Sequence, residues 1–138
     1  MHEDSSLPDE TILRLLEVAR EVRLRAYAPY SKYQVGAAVL GNDNHIYGGC
    51  NVENASYGLC NCAERVAIAA SIAAGCTKPQ AIAVVTADAG SPCGACRQVM
   101  VEFNPDMHVI IAGPNDEQAR HTTAAELLPD YFRLDTHG

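Results

Sequence analysis

The sequence has no tryptophan and only two lysines, Lys32 and Lys78. No run of basic residues interleaves with aromatics, and four of the eight arginines (Arg14, Arg20, Arg23 and Arg25) crowd into one early segment beside Glu10, Glu17 and Glu21. A protein that grips a polyanion needs a positive face. With a net charge of −7, a nucleic-acid partner is disfavoured and a small neutral ligand fits better. The longest apolar helical stretch, Val66 to Ala74, is far too short to span a bilayer, so no membrane partner is expected. The opening Met1-His2-Glu3-Asp4-Ser5-Ser6 has neither the basic start nor the apolar core of a secretory leader, and a cytoplasmic location is expected. In that compartment six cysteines read as metal ligands or buried thiols, and disulfides are disfavoured. There is no repeat, linker or low-complexity tract, and 138 residues suit a single domain over 1–138 with one core.

Apolar residues from Pro8 to Ala28 recur at three- and four-residue steps (Ile12, Leu15, Leu16, Ala19, Val22, Ala26), which predicts a helix ended by Pro29. Its arginines and glutamates read as a solvated outer face. Tyr33 to Leu40 and His45 to Cys50 read as strands of a hairpin around Gly41-Asn42-Asp43-Asn44. Asn51 to Gly58 is a polar loop. Cys62 to Ala74 reads as a helix apolar all round, buried centrally or covered by another subunit on its outer side. Ala81 to Thr86 is a strand, Cys93 or Gly94 to Phe103 a helix, Met107 to Ala112 a strand and Thr122 to Leu128 a short final helix. Helices alternating with strands predict an α/β fold with some parallel pairing.

The chemistry concentrates in Cys60-Asn61-Cys62-Ala63-Glu64-Arg65 and in Pro92-Cys93-Gly94-Ala95-Cys96 about thirty residues later. Cys62, Cys93 and Cys96 can supply three thiolates to one Zn²⁺ and leave its fourth position open to water, the arrangement of a catalytic site. Helix starts at Cys62 and Cys93 favour the thiolate form. Three thiolates leave the centre with an excess negative charge. Arg65, a cation in the first turn of a helix where cations are disfavoured, is the candidate to offset it, with Arg97 second. Glu64 is the candidate proton carrier. Cys60 competes with Cys62 as a ligand, but only Cys62 has the Cys-x-Glu spacing. Cys50 and Cys76 read as small buried residues, and none of His2, His45, His108, His121 and His137 lies near the motifs in sequence.

Together with Ala28-Pro29-Tyr30-Ser31-Lys32-Tyr33-Gln34-Val35-Gly36-Ala37-Ala38, Gly49-Cys50-Asn51-Val52-Glu53-Asn54-Ala55 and Glu126-Leu127-Leu128-Pro129, these motifs make the chain resemble the small homotetrameric cytidine deaminases over roughly residues 8 to 133. The resemblance implies a three-layer α-β-α fold around a five-stranded mixed sheet. It also implies hydrolytic deamination of cytidine and 2′-deoxycytidine to uridine and 2′-deoxyuridine in pyrimidine salvage, with one zinc per chain. Cys62, Cys93 and Cys96 would hold the metal and Glu64 would shuttle protons. Asn51 and Glu53 would bind the ribose, and Tyr33, where relatives often carry Phe, would lie against the pyrimidine. The Ala63 N–H would meet the base carbonyl and the Ser91 carbonyl the amine. Phe132 would cover the base in a neighbouring subunit's site, with Tyr57 at the same contact. Val66 stands where relatives usually have Thr, and the tail after Phe132 has no match. Deamination of another cytosine compound, deamination within RNA or DNA, and a structural zinc module with a fourth ligand such as Cys60 are the competing readings.

Overall fold

The computed structural model describes residues 7–115 and 119–134. The segments Met1–Ser6, with His2, and the end of the tail, with His137, lie outside those residues. The first periodic segment forms helix α1 (Asp9–Arg23), with Leu15, Leu16 and Ala19 buried. It stops earlier than Pro29 requires. Leu24, Arg25 and Ala26 continue in tighter turns, and the Tyr27 N–H then bonds the Asn51 carbonyl at 3.0 Å, drawing the chain into a bridge with Val52. Two of the arginines expected in solvent instead tie α1 to the loops around it. Arg23 Nε donates to the Gln34 carbonyl at 2.9 Å and Arg20 to that of Gly113 at 3.3 Å.

Strand β1 (Gly36–Leu40) and strand β2 (Ile46–Cys50) form the antiparallel hairpin. Its turn closes through Gly41 N–H to the His45 carbonyl at 2.9 Å, with Asn44 at a positive φ. Residues 33–35, predicted as strand, are not in the sheet. Their backbone pairs with Asn51. A single 3₁₀ turn at Tyr57–Leu59 precedes helix α2 (Ala63–Ala73). Strand β3 (Ala81–Val85), helix α3 (Gly94–Phe103) and strand β4 (His108–Ala112) follow. Next come strand β5 (Arg120–Thr123) and helix α4 (Ala124–Leu127).

The sheet order is β2-β1-β3-β4-β5. Only β3 and β4 are parallel. Alternation along the strands sends Ala38, Leu40, Ala83, Val85 and Ile110 to α1. It sends Ala37, Val39, Ile82, Val84 and Val109 to the layer of α2, α3 and α4. The result is the three-layer α-β-α arrangement around five mixed strands. β5 corrects the reading of Thr122 to Leu128 as one helix. Arg-His-Thr-Thr has no apolar alternation because it is an exposed edge strand, and Thr123 both ends it and caps α4 in a reciprocal box with Glu126.

α2 is not buried all round within the protomer. Ala63, Glu64, Ala67, Ile68 and Ser71 face inward, whereas Ala69 and Ala73 are exposed. β2 approaches α2 so closely that a Cβ on Gly49 would lie 2.5 Å from the Ala67 nitrogen. Cys76 is buried as expected, but Cys50 is only half-buried. Among the described residues no helix is long and apolar enough to cross a membrane.

Candidate metal centre and binding cavity

Cys62 and Cys93 are the N-cap residues of α2 and α3, and neither side chain caps its helix. Their sulfurs are therefore free to face one another, and they lie 4.0 Å apart. Cys96, one turn into α3, is buried beside them. The three Sγ atoms all lie within 4.8 Å of one another, the one group of its kind among the described residues. Sulfurs about 2.3 Å from one tetrahedral zinc sit about 3.8 Å apart, so this donor set fits Zn²⁺ in size and chemistry. Cys60 is outside it. Its sulfur accepts from the Asn54 N–H at 3.3 Å and donates to the Asn54 carbonyl at 3.5 Å.

The surroundings favour the thiolate form of Cys62. The Cys96 thiol beside it brings Cys62 down to about 5 against the opposing effect of burial, and the Arg65 guanidinium adds to this. Arg65 Nη2 donates to Cys62 Sγ and to the Cys60 carbonyl, both at 3.5 Å, while Arg65 Nε is buried with no hydrogen-bond partner. A divalent cation would favour the thiolate form of all three. Arg97 does not reach the sulfurs. It donates to the Pro92 carbonyl, the Leu127 carbonyl and Ser91 Oγ, each at 2.8 Å. It braces the loop before Cys93 against the end of α4.

Glu64 is only 5% exposed. Burial raises its pKa, and the Cys62 thiolate pushes it the same way. It opens onto a cavity of about 490 Å³ that Tyr33, Asn51, Glu53, Ala63 and Ser91 also line. The loop from Asn51 to Asn61 reaches the cavity because Val52 and Asn61 exchange two backbone hydrogen bonds of 2.9 Å. Asn51 is braced, its Oδ1 accepting from the Val35 N–H at 2.8 Å and its Nδ2 donating to the Tyr33 carbonyl at 2.9 Å. Glu53 accepts from the N–H groups of Tyr30 at 3.0 Å and Ser31 at 3.1 Å, and from the Ser31 hydroxyl. The Ser31 hydroxyl is the main cause of a lowered Glu53 pKa. Ordinary polar loop composition hid Ser31 and Gly90, and a position at the end of an apolar strand hid Thr86; all three line the cavity. Phe132 is 68% exposed and lies outside this cavity, its carbonyl held by Gln98 Nε2 at 3.0 Å. Tyr57 is 82% exposed and borders an adjoining hollow with Tyr30 and Glu53.

Residues 9–124 match the family model described as the cytidine and deoxycytidylate deaminase zinc-binding region. The chain is 45% identical to a cytidine deaminase of Sporosarcina psychrophila over 122 residues, covering 86% of this chain and 89% of the relative. It is 46% identical to one from Halalkalibacterium halodurans over 120 residues, covering 86% and 91%. Its fold superimposes on a crystal structure of cytidine deaminase from Burkholderia pseudomallei with a TM-score of 0.83 at 48% identity, covering 91% of this chain and all of that one.

Proposed function

The chain belongs to the cytidine deaminase family, and from that premise we propose that it is a zinc-dependent hydrolase that converts cytidine and 2′-deoxycytidine to uridine and 2′-deoxyuridine. Water adds at C4 of the cytosine ring and ammonia leaves. The observation that carries this reading is a buried carboxyl group, Glu64, sharing one cavity with Cys62 and Cys93 of the three-sulfur cluster and with a pre-braced Asn51–Glu53 pair.

Cys62, Cys93 and Cys96 would hold the zinc, which supplies a Lewis acid that makes water a nucleophile near neutral pH. Arg65, bonded to Cys62 Sγ, would temper the negative charge of the sulfur set. Glu64 would accept a proton from water, deliver it to the ring nitrogen N3, and carry a further proton to the departing amine. The Ala63 N–H would bond the base carbonyl and the Ser91 carbonyl the amine. Tyr33 would pack against the ring. Glu53, with both oxygens anchored from one side, keeps lone pairs for sugar hydroxyls, and Asn51 would add a donor. Glu53 and Glu64 are acidic, and the described lining residues include no Lys, Arg or His. A cavity of that character favours a neutral nucleoside over a phosphorylated one or a strand of nucleic acid.

The active form is a homotetramer with sites shared between subunits. Supporting this, Ile68, Ala69, Ile72 and Ala73 of α2 and Val99 and Phe103 of α3 line an apolar groove of about 350 Å³. Phe132 is free to reach a neighbour's cavity. Three thiols that must stay reduced to hold metal suit the cytoplasm, where the enzyme would serve pyrimidine salvage. The direct test is release of ammonia and uridine from cytidine by the zinc-loaded protein. Glu64→Ala should keep one zinc per chain, measured by elemental analysis, and lose on the order of 10³-fold or more in kcat. Near-normal turnover in that variant would remove Glu64 from its role.

A further inference from the structure

Tyr33 brings a hydroxyl to the cavity wall, and that hydroxyl is already engaged. It donates to Asp88 Oδ1 at 2.7 Å. Asp88 does not itself line the cavity. The same oxygen accepts from Thr86 Oγ1 at 3.2 Å, and Thr86 Oγ1 accepts from the Gly90 N–H at 2.7 Å. The bond from Tyr33 is also the main reason that the Asp88 carboxyl sits below its usual range. Between Asp88 and Gly90, Ala89 has φ +57°, a left-handed conformation unfavourable for alanine that persists only where its surroundings hold it. Gly90 completes the fit, since a Cβ there would lie 2.8 Å from the Tyr33 hydroxyl and 3.2 Å from Asp88 Oδ1. Ser91 follows directly and lines the cavity, and Cys93 lies two residues further on.

We propose that Asp88 is a positioning residue acting through Tyr33: its carboxylate fastens the Tyr33 ring, and so one wall of the nucleoside cavity, to the Thr86–Gly90 turn that leads into Ser91. This deepens the deaminase reading and rests on it for the identity of the ligand. The device has a characteristic asymmetry. Removing the acceptor releases the Tyr33 hydroxyl, and with it the exposed ring, at the cavity wall, whereas removing the hydroxyl leaves an exposed carboxylate that water can serve. Asp88 therefore matters only while residue 33 carries a hydroxyl.

The test is a double-mutant cycle on the zinc-loaded protein. It reads uridine affinity by calorimetry, the KM and kcat for cytidine, and hydrogen exchange of the Gly90 amide. Asp88→Ala should weaken uridine binding about three- to tenfold. KM should rise to match, with kcat and zinc content little changed and Gly90 exchange faster. Asp88→Asn, which retains an acceptor oxygen, should stay within about twofold of the parent. In the Tyr33→Phe background, adding Asp88→Ala should change affinity by less than about twofold. Gly90→Ala should impair binding and be partly relieved by Tyr33→Phe, because the nearest atom it meets is then gone while Asp88 Oδ1 remains. Equal losses from Asp88→Ala in both backgrounds, or none in either, would overturn the proposal. If Asp88→Ala fails to fold, recovery of folding by Tyr33→Phe supports it and continued failure overturns it. Should the parent bind no uridine, the nucleoside reading falls, and Gly90 exchange in the two backgrounds still decides the role of Asp88.

Discussion

Cys60 and Cys62 differ by two positions and have different surroundings. Cys62 caps a helix that aims it at Cys93, whereas the sulfur of Cys60 turns back onto the Asn54 backbone. Cys60→Ser should therefore still bind one zinc per chain, while Cys93→Ser should lose it, both read by elemental analysis after dialysis. The Cys-x-Glu spacing made this choice legible from the sequence. The bracing of Glu53 by Ser31 was not, because a serine in a polar loop looks the same whether it meets a carboxylate or water. The histidines show the same limit. His108 Nε2 and His121 Nδ1 lie 2.8 Å apart although thirteen residues separate them. Burial, then the neighbouring ring, lowers the His108 pKa. The unfolded chain, with a histidine pKa of about 6.5, then binds the proton first as pH falls. Stability should be unaffected above that value, decline as pH drops through it towards the lower folded pKa, and level off below. His108→Asn should flatten this part of a plot of Tm against pH between about 7.5 and 5.

At the scale of elements, the contact between α2 and β2 sets the site. Gly49 lets the strand approach the helix backbone, so the start of α2 is held over the sheet with Cys62 and Glu64 facing one cavity. Gly49→Ala places a methyl carbon 2.5 Å from the Ala67 nitrogen and 2.8 Å from the Ala63 carbonyl oxygen. Neither is the end of a flexible side chain. The expected loss is about 3 kcal/mol in denaturant unfolding, together with weaker zinc retention. Periodicity located α1, α2, α3 and four strands because burial on one side leaves a repeating signature. It failed at Tyr33 to Val35, where an asparagine side chain supplies the partners that a strand would have used. It failed again at β5, where pairing to β4 imposes an extended backbone on four residues with no apolar face.

At the scale of the molecule, the outer side of α2 is an exposed, largely apolar face, the one the proposed tetramer would cover. Ala69 and Ala73 are exposed on a helix without a polar face to offer water, beside the groove formed with α3. Ala69→Glu would place a charge there. On the proposed assembly, sedimentation should show the parent as a tetramer and this variant as a smaller species, with activity reduced because each cavity would lack a neighbour's Phe132. The sequence alone singled out the three cysteines that cluster, the carboxyl group beside them and the charge class of ligand, since these reside in residue identity and short spacing along one or two turns of helix. Only the tertiary structure decided what braces Asn51 and Glu53, and that the Tyr33 hydroxyl is bonded through Asp88 to the loop before Ser91. Those relations join residues up to 55 positions apart, and such contacts leave no periodic trace in the chain.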